Sequence, residues 1–582
     1  MKKKQLILLF IALSFALGMT TQRAHAANAN DNEVHITLLE TSDVHGSFFP
    51  FDFITGKPRA GSIAWLSTYV DSLRATLGDG LVLLDNGDIL QGQPISYYYN
   101  YVDTAQHNIA AQVVNYLGYD AQTVGNHDIE PGHAVYDKWI GEVKCPVLGA
   151  NIVNAATGTP YVKPYTILHK KGVKIAVLGM LTPAIPNWLA PRIYSGLRFD
   201  DIVESCRYWV KYITQNENPA LIVGLFHCGL EGGIATASYC ENEARAVARQ
   251  VDGIDIIFFG HDHMKHNSME NGVLLLNSAN NAMQVARADV TLHRDGYGDW
   301  VLDKKQGALV DYSSMKVDSQ YMAHFKPQLD SVKAWVDQPI GTLESDLTSE
   351  DCFFGNSAFT DLILNLQLKL TGADVAFNAP LSAHAVLHKG IITVGDMFNL
   401  YRFENQLYVM KLTGDEIRRH LEMSYDLWVN TMTGPGDHLF NLSQGAAGGN
   451  KGLWFAHPTY NFDSAAGIDY VVDVTKPNGS KVKILRMSNG EPFDLHKTYK
   501  VALNSYRANG GGQLLTNGAG IAKDELESRV VYKSARDQRY YLMQEIKKEG
   551  TIAPKPNHNW HFVPEQWVKP AAERDRALLF GK

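Results

Sequence analysis

Five short polar runs gather Asp, His and Asn: Thr41-Ser-Asp43-Val-His45-Gly46, Asp85-Asn-Gly-Asp88, Gly125-Asn126-His127-Asp128, Phe226-His227-Cys228-Gly229 and Gly260-His261-Asp262-His263. Imidazoles and carboxylates in this number are a donor set for two divalent cations, with one oxygen ligand shared and open positions for water and a phosphoryl oxygen. The chemistry such a pair supports is hydrolysis of a phosphate ester. Two residues apart on an extended loop, Asp43 and His45 can point to one side, as can His261 and His263. Glycine beside each run lets the backbone turn sharply. Asp88, coming from a central strand, is the natural shared ligand. Any single run reads as surface or capping chemistry; five in order, each after a strand, do not.

The strands that must position them are apolar and rich in β-branched or aromatic residues: 35–39, 81–84, 121–124, 220–225 and 254–259, with 173–177 as a further one. Helical spacing over 62–76, 105–117, 131–143, 200–215 and 241–251 separates them, so residues 34–315 read as an α/β domain with a buried sheet. The polar runs then lie at the carboxyl edge, where ligands bind. Residues 316–345 read as a bridge, with one amphipathic helix over 316–338 carrying Met322, Phe325, Leu329, Val332 and Trp335; it equally suits the last helix of the first domain. A mixed pattern over 346–565 makes a second domain, with helices near 357–371 and 413–424 and a hairpin near 469–487 turning at Asn478-Gly479 in a type I′ turn. Residues 433–452, rich in Gly, Asn and Ser, read as a mobile loop.

The 582 residues are 20% charged and 45% hydrophobic, ordinary globular values that leave room for two domains. Residues 1–26 read as a cleaved secretory signal: Lys2, Lys3 and Lys4, an apolar run from Leu6 to Met19, then Ala24-His25-Ala26. That run is too short to span a membrane, no later one is longer, and a periplasmic or secreted location is expected. Without the signal the balance is 49 basic against 61 acidic residues, a net charge of −12. Such a body does not hold long nucleic acid by counterion release, and an anionic substrate requires a bound cation or a local Arg/Lys group. Cys145, Cys206, Cys228, Cys240 and Cys352 are odd in number and form no CxxC, so they read as small buried residues rather than a disulfide framework or zinc site. The oligomeric state is not legible.

In order and spacing, Asp43-Val-His45, Gly87-Asp88, Gly125-Asn126-His127-Asp128, His227 and Gly260-His261-Asp262-His263 resemble the calcineurin-like metallophosphoesterases, over nearly all of residues 34–280. The resemblance implies a four-layer α/β/β/α sandwich and two divalent metal ions drawn from Mn, Zn, Fe or Co. It implies Asp43, His45, Asp88 and His263 on one ion, and Asp88, Asn126, His227 and His261 on the other. His127 is then no ligand; it lies over the scissile phosphate, stabilising charge or protonating the leaving oxygen. Secreted nucleotidases of this group often have an Asp three residues after that His, where this chain has Glu130. Glu130 reads either as the partner that orients His127 or as an acid favouring a helix start at Pro131.

Later segments, Asn378-Ala-Pro-Leu381, Leu412-Thr-Gly-Asp-Glu416, Pro458-Thr-Tyr460-Asn-Phe-Asp463 and Asn504-Ser-Tyr506-Arg-Ala-Asn-Gly-Gly511, resemble the α+β C-terminal substrate domain of the 5′-nucleotidase family. They look nearest to its periplasmic 2′,3′-cyclic-nucleotide 2′-phosphodiesterase/3′-nucleotidase branch. By that resemblance Tyr460 and Tyr506 clamp the base, and Asn126, Asn378 and Arg507 also bind substrate. Stacking contributes about 1–3 kcal/mol per base and accepts any base. Two departures disfavour a strict 5′-AMP reading: no Arg stands between Asn378 and Arg402, and Gly512 replaces the expected adenine-contacting Asp. The expected enzyme opens 2′,3′-cyclic nucleotides to 3′-nucleotides and releases nucleoside and phosphate, by in-line attack of a metal-activated hydroxide. The alternatives are a 5′-nucleotidase or UDP-sugar hydrolase, a broad phosphatase, and a catalytically dead exported nucleotide-binding protein. Because metals and clamp lie in different domains, a hinge is expected around 316–345.

Overall fold

Period-two alternation builds the first domain. In the computed structural model, which describes residues 32–444 and 452–581, Ile36, Leu38, Val82 and Leu84 point one way and meet Ile175, Val177, Val223 and Phe258 from a second sheet in one buried cluster. Their neighbours Leu39, Leu81 and Leu83 face the helices Ile63–Leu77 and Ile109–Leu117, while Ala176, Leu178, Ile222 and Ile257 face Ile202–Glu217 and Ala244–Gln250. The layers are therefore helix, sheet, sheet, helix, as the resemblance implies. Residues 1–26 of the expected signal, and 445–451 of the glycine-rich stretch, lie outside the described residues.

Across the first sheet the order is Trp300–Val310, Val285–Arg294, Glu33–Thr41, Leu81–Asp85, Ala121–Thr123 and Val147–Leu148; across the second it is Lys265–Glu270, Val273–Ser278, Ile256–Phe259, Leu221–His227, Val173–Leu181 and Tyr165–Lys170. Central strands are parallel, with Leu39 opposite Leu83, and Val223 opposite both Val177 and Ile256. Parallel pairing brings the ends that carry the polar runs to one edge.

The helix expected over 316–338 is two helices, Ser319–His324 and Lys326–Val336, broken at Phe325 (φ −93°, ψ 9°). Pro327 explains the break: it lacks the N–H that would continue the first helix, yet its fixed φ suits the first turn of the second. Tyr321, Phe325, Leu329, Val332 and Val336 are buried in the core of the first domain. Trp335 lies between the domains, stacked on Tyr97 at 6.0 Å and edge-on to Phe398 at 5.8 Å. Pro339–Leu343 is the middle strand of a sheet with Gly390–Thr393 and Thr551–Ile552. The stretch 316–345 thus runs from the core of the first domain, past Trp335 at the contact between the domains, into a strand of the second.

The second domain centres on a five-stranded sheet ordered Ser464–Ala466, Val375–Asn378, Thr498–Asn504, Gln406–Thr413 and Val530–Asp537, with helices Ala358–Thr371 and Gly414–Trp428 against it. The expected boundary at 565 falls short, because the helix Glu565–Phe580 buries Ala571 and Leu579 in the same core as Trp428 and Phe462. The hairpin Ile468–Asp473 with Val482–Met487 forms, but not through a two-residue type I′ turn. Its loop is longer: Ser480 N–H returns to the Pro477 carbonyl, Gly479 takes φ +80°, and the Asp426 carboxylate accepts the Gly479 N–H.

Polar groups also cross between the domains. Tyr97 donates to Asp537 at 2.7 Å, and the Arg539 guanidinium lies over the rings of Tyr97 and Phe398. Nearby, Glu404 Oε2 is buried without a hydrogen-bond partner. Burial raises the Glu404 carboxyl to about 8, opposed by Arg539 and reinforced by Glu130 and Asp537. Since the folded-state value lies above the unfolded one of about 4.5, stability is undiminished at lower pH and falls as pH rises from there through about 8. Glu404→Gln should therefore raise the thermal midpoint by about 2 °C or more near pH 9 and change it little near pH 5. An equal gain at both values would mean that Glu404 is ionised throughout.

Candidate metal centre

Asp43, His45, Asp88, His261 and His263 all have positive φ, between 48° and 70°. Left-handed backbone costs a residue with a Cβ about 1–2 kcal/mol, so the surroundings must hold it. Asp43 N–H donates to Gly87 O at 3.0 Å and His45 N–H to Asp88 O at 2.9 Å. The Asp128 carboxylate accepts the N–H groups of Asp88, Ile89, Leu90 and Gly125 at 2.8–2.9 Å. The extended loop expected at Asp43–His45 is replaced by this kinked backbone. Glycine matters here chiefly for close approach: a Cβ on Gly260 would strike Ser42 and Asp43, and one on Gly125 the Asp88 carboxylate.

All seven residues expected around the ions come together. Asp43 Oδ1 lies 3.2 Å from His263 Nε2 and 3.9 Å from Nε2 of both His45 and His227. Asp88 Oδ2 is 3.2 Å from His227 Nε2 and 4.0 Å from His45 Nε2. Asn126 Oδ1 faces His227 Nε2 at 3.1 Å and His261 Nδ1 at 2.8 Å. Asp43, His45 and His263 offer ligand atoms within 4.8 Å of one another, as do Asp43, Asp88 and His227. Asp43 thus belongs to both groups, and Asp88, expected as the shared ligand, belongs to the second and reaches toward the first with Oδ2 4.0 Å from His45.

The donor chemistry fits divalent cations. His45 Nδ1 lies 3.1 Å from the Gln91 carbonyl and His227 Nδ1 2.6 Å from the Asn86 carbonyl, which directs each ring hydrogen to Nδ1 and each Nε2 lone pair inward. Those lone pairs meet carboxylate and amide oxygens, and Asp43 Oδ1 is buried without a hydrogen-bond partner. Only a proton or a cation relieves such a convergence of acceptors. Without a cation a proton is trapped: burial disfavours charged His227, but Asp88 and Asp43 outweigh it and push the ring up to about 10. Burial and the neighbouring His263 instead hold His45 down to about 3.

His127 stands beside this group, its ring 5.5 Å from that of His45 and its backbone N–H on Asp88 Oδ1 at 2.8 Å. Its Nδ1 pairs with Glu130 Oε2 at 2.6 Å, whereas the following helix starts at His133 behind Gly132. Glu130 therefore lies against the His127 ring, and the helix that follows begins two residues beyond Pro131. Burial disfavours the charged ring, but Asp88 and Glu130 raise it to about 9. Sequence reasoning missed Glu241, which meets His261 Nε2 at 2.9 Å from a short strand, Cys240–Asn242, that has no motif. It also missed the bracing role of Asp128 and the Trp188 ring, 5.5 Å from His261.

The second domain approaches there. Asn509 donates to the Trp188 carbonyl at 3.4 Å, and Arg192 bonds Gln406. Tyr460 and Tyr506 lie side by side, but edge to face, with centroids 6.2 Å apart and planes at 88°. A flat base enters between them only if one ring turns; Tyr460 is the more accessible of the two, 39% exposed. Asn378 is buried at the end of its strand, with Oδ1 unpartnered. Arg507, expected to touch substrate, is buried and wholly engaged with protein oxygens, which corrects that expectation.

The comparisons agree with this division. The calcineurin-like phosphoesterase family matches residues 36–265, and the 5′-nucleotidase C-terminal domain family matches 339–517. The trifunctional nucleotide phosphoesterase protein YfkN of Bacillus subtilis is 26% identical over 96% of this chain, which spans 41% of that protein. A 2′,3′-cyclic-nucleotide 2′-phosphodiesterase/3′-nucleotidase of Yersinia enterocolitica is 25% identical over 95% of this chain and 91% of its own length. A Staphylococcus aureus structure described as a candidate 5′-nucleotidase has the same fold, with a TM-score of 0.75 at 22% identity, covering 91% of this chain and all of that one. The chain therefore carries two domains, a calcineurin-like phosphoesterase domain first and a 5′-nucleotidase C-terminal domain second, and is a metal-dependent phosphoric ester hydrolase.

Proposed function

We propose that this protein is an exported nucleotidase that hydrolyses 2′,3′-cyclic nucleotides and 3′-nucleotides to nucleoside and phosphate. The observation that carries the reading is the convergence of the inward His45 and His227 Nε2 lone pairs on Asp43 Oδ1, which is buried without a hydrogen-bond donor, and on Asp88 Oδ2. Asp43, His45, Asp88 and His263 would hold one divalent ion, and Asp88, Asn126, His227 and His261 the other, with Asp43 close to both. Cations bound there supply positive charge to a phosphoryl group and acidify a water. His127, fixed by Glu130, donates its proton to the leaving ribose oxygen. The Nδ1 bonds of His45 and His227 keep their rings turned inward, and Glu241 does the same for His261.

Export is supported by the basic, apolar and Ala24-His25-Ala26 segments of residues 1–26. Among the described residues no helix is long and apolar enough to cross a membrane. The cyclic and 3′ preference is supported by the Yersinia relative and by Gly512, where φ is +67° and a Cβ would strike Asn461 and Arg507, leaving no room for an adenine-contacting Asp. The test is phosphate release from 2′,3′-cyclic AMP, 3′-AMP, 5′-AMP and a nucleotide sugar after chelation and metal add-back. Turnover of the first two well above the others is expected; preference for 5′-AMP would reject the substrate assignment.

Tyr460 and Tyr506 supply base affinity in this reading. Tyr460→Ala or Tyr506→Ala should each raise KM for 3′-AMP by about 5- to 100-fold, the equivalent of one lost stacking contact. Hydrolysis of bis(p-nitrophenyl) phosphate, which has no base, should be unaffected. Equal losses on both substrates would show that the rings support the fold rather than the base.

A further inference from the structure

We propose that Arg507 is the positioning residue of the base clamp, a buried fork that holds the loops of Tyr460 and Tyr506 at a fixed separation; the inference rests on the stacking role given to those rings. A guanidinium has five N–H donors and no acceptor. Here each is spent on a different bond: Nε on Asp463 Oδ2 at 2.8 Å, Nη1 on Asn461 Oδ1 at 3.1 Å and Gly511 O at 2.5 Å, Nη2 on Tyr460 O at 2.8 Å and Asp463 Oδ1 at 3.1 Å. The side chain is 2% exposed. No donor is left for a phosphate or a base.

The bonds join segments that are far apart in sequence. Tyr460, Asn461 and Asp463 belong to the turn that carries one ring; Gly511 belongs to the loop that follows the other. Arg507 also reaches the second ring directly: its guanidinium carbon lies over the Tyr506 ring, 5.6 Å from the centroid, while Tyr506 meets Tyr460 edge to face. Behind Arg507 the brace continues: His420 Nε2 meets Asp463 Oδ2 at 2.8 Å, and its ring stacks on Phe377 at 4.2 Å and 5°. Phe377 precedes Asn378, so the strand end and both clamp loops share one buried support. Lysine cannot replace this, because an ammonium is a point charge with three donors and cannot serve four divergent residues.

Arg507→Lys should raise KM for 3′-AMP about tenfold while turnover of bis(p-nitrophenyl) phosphate stays within about twofold of the parent. Asp463→Asn, which keeps the shape but removes the paired charge, should act in the same direction and decides the matter if the lysine variant does not fold. Tyr460→Ala is run beside them. A KM increase in Tyr460→Ala but in neither brace variant would overturn the role of Arg507 and leave the clamp standing. No increase in Tyr460→Ala would remove the clamp itself. Equal losses on both esters in the brace variants would make Arg507 a general support and overturn the proposal.

Discussion

Asp88→Asn should lower kcat/KM by about a thousandfold or more on every phosphate ester, with or without a base, which corresponds to roughly 4 kcal/mol of lost transition-state stabilisation. The substitution is nearly isosteric, so its effect isolates charge. One carboxylate oxygen of Asp88 faces His227 at 3.2 Å and His45 at 4.0 Å, while the other holds the His127 N–H. A neutral amide presents half the acceptors and none of the charge to two neighbouring cation positions. Metal analysis of the variant should show depleted cations beside a thermal unfolding profile that remains cooperative. Near-parental turnover would mean that Asp88 is a structural acid.

The second large effect falls on His127. His127→Gln should cost about 10²- to 10⁴-fold on 3′-AMP, the usual range for a positioned general acid, and far less on a p-nitrophenyl ester, whose leaving group departs unassisted. Glu130→Gln should cost about tenfold on 3′-AMP, since the amide still orients the ring but no longer favours its charged form. The pH profile distinguishes the two: with a protonated His127 as the active form, activity declines as pH rises past its pKa, and loss of the Glu130 charge moves that decline to lower pH. A uniform loss on both esters from His127→Gln would assign the ring to charge stabilisation instead of proton donation.

The centre was legible because its parts are local. Each polar run follows a strand recognisable from apolar, β-branched residues, and parallel packing brings such ends to one edge. Residues whose work depends on long-range placement were harder. Glu241 joins His261 only through a short strand pair, Gly232–Ala235 with Cys240–Asn242. Arg507 reads as a substrate-binding residue by resemblance alone; only the fold shows that five protein oxygens already occupy it. The break at Phe325 was readable from Pro327, but the strong spacing of Met322, Phe325, Leu329 and Val332 concealed it, since two helices in line preserve nearly the same apolar face. The edge-to-face rings of Tyr460 and Tyr506 depend on side-chain rotation, which no sequence pattern records.

Metal content measured against turnover tests the central claim most directly. The protein would be chelated until cation-free and then titrated separately with Mn, Zn, Fe and Co, with bound metal and phosphate release from 3′-AMP followed together. The expected result is no hydrolysis in the cation-free protein and recovery that tracks occupancy up to about two ions per chain. Undiminished hydrolysis with no bound cation, or full activity at less than one ion per chain, would contradict it.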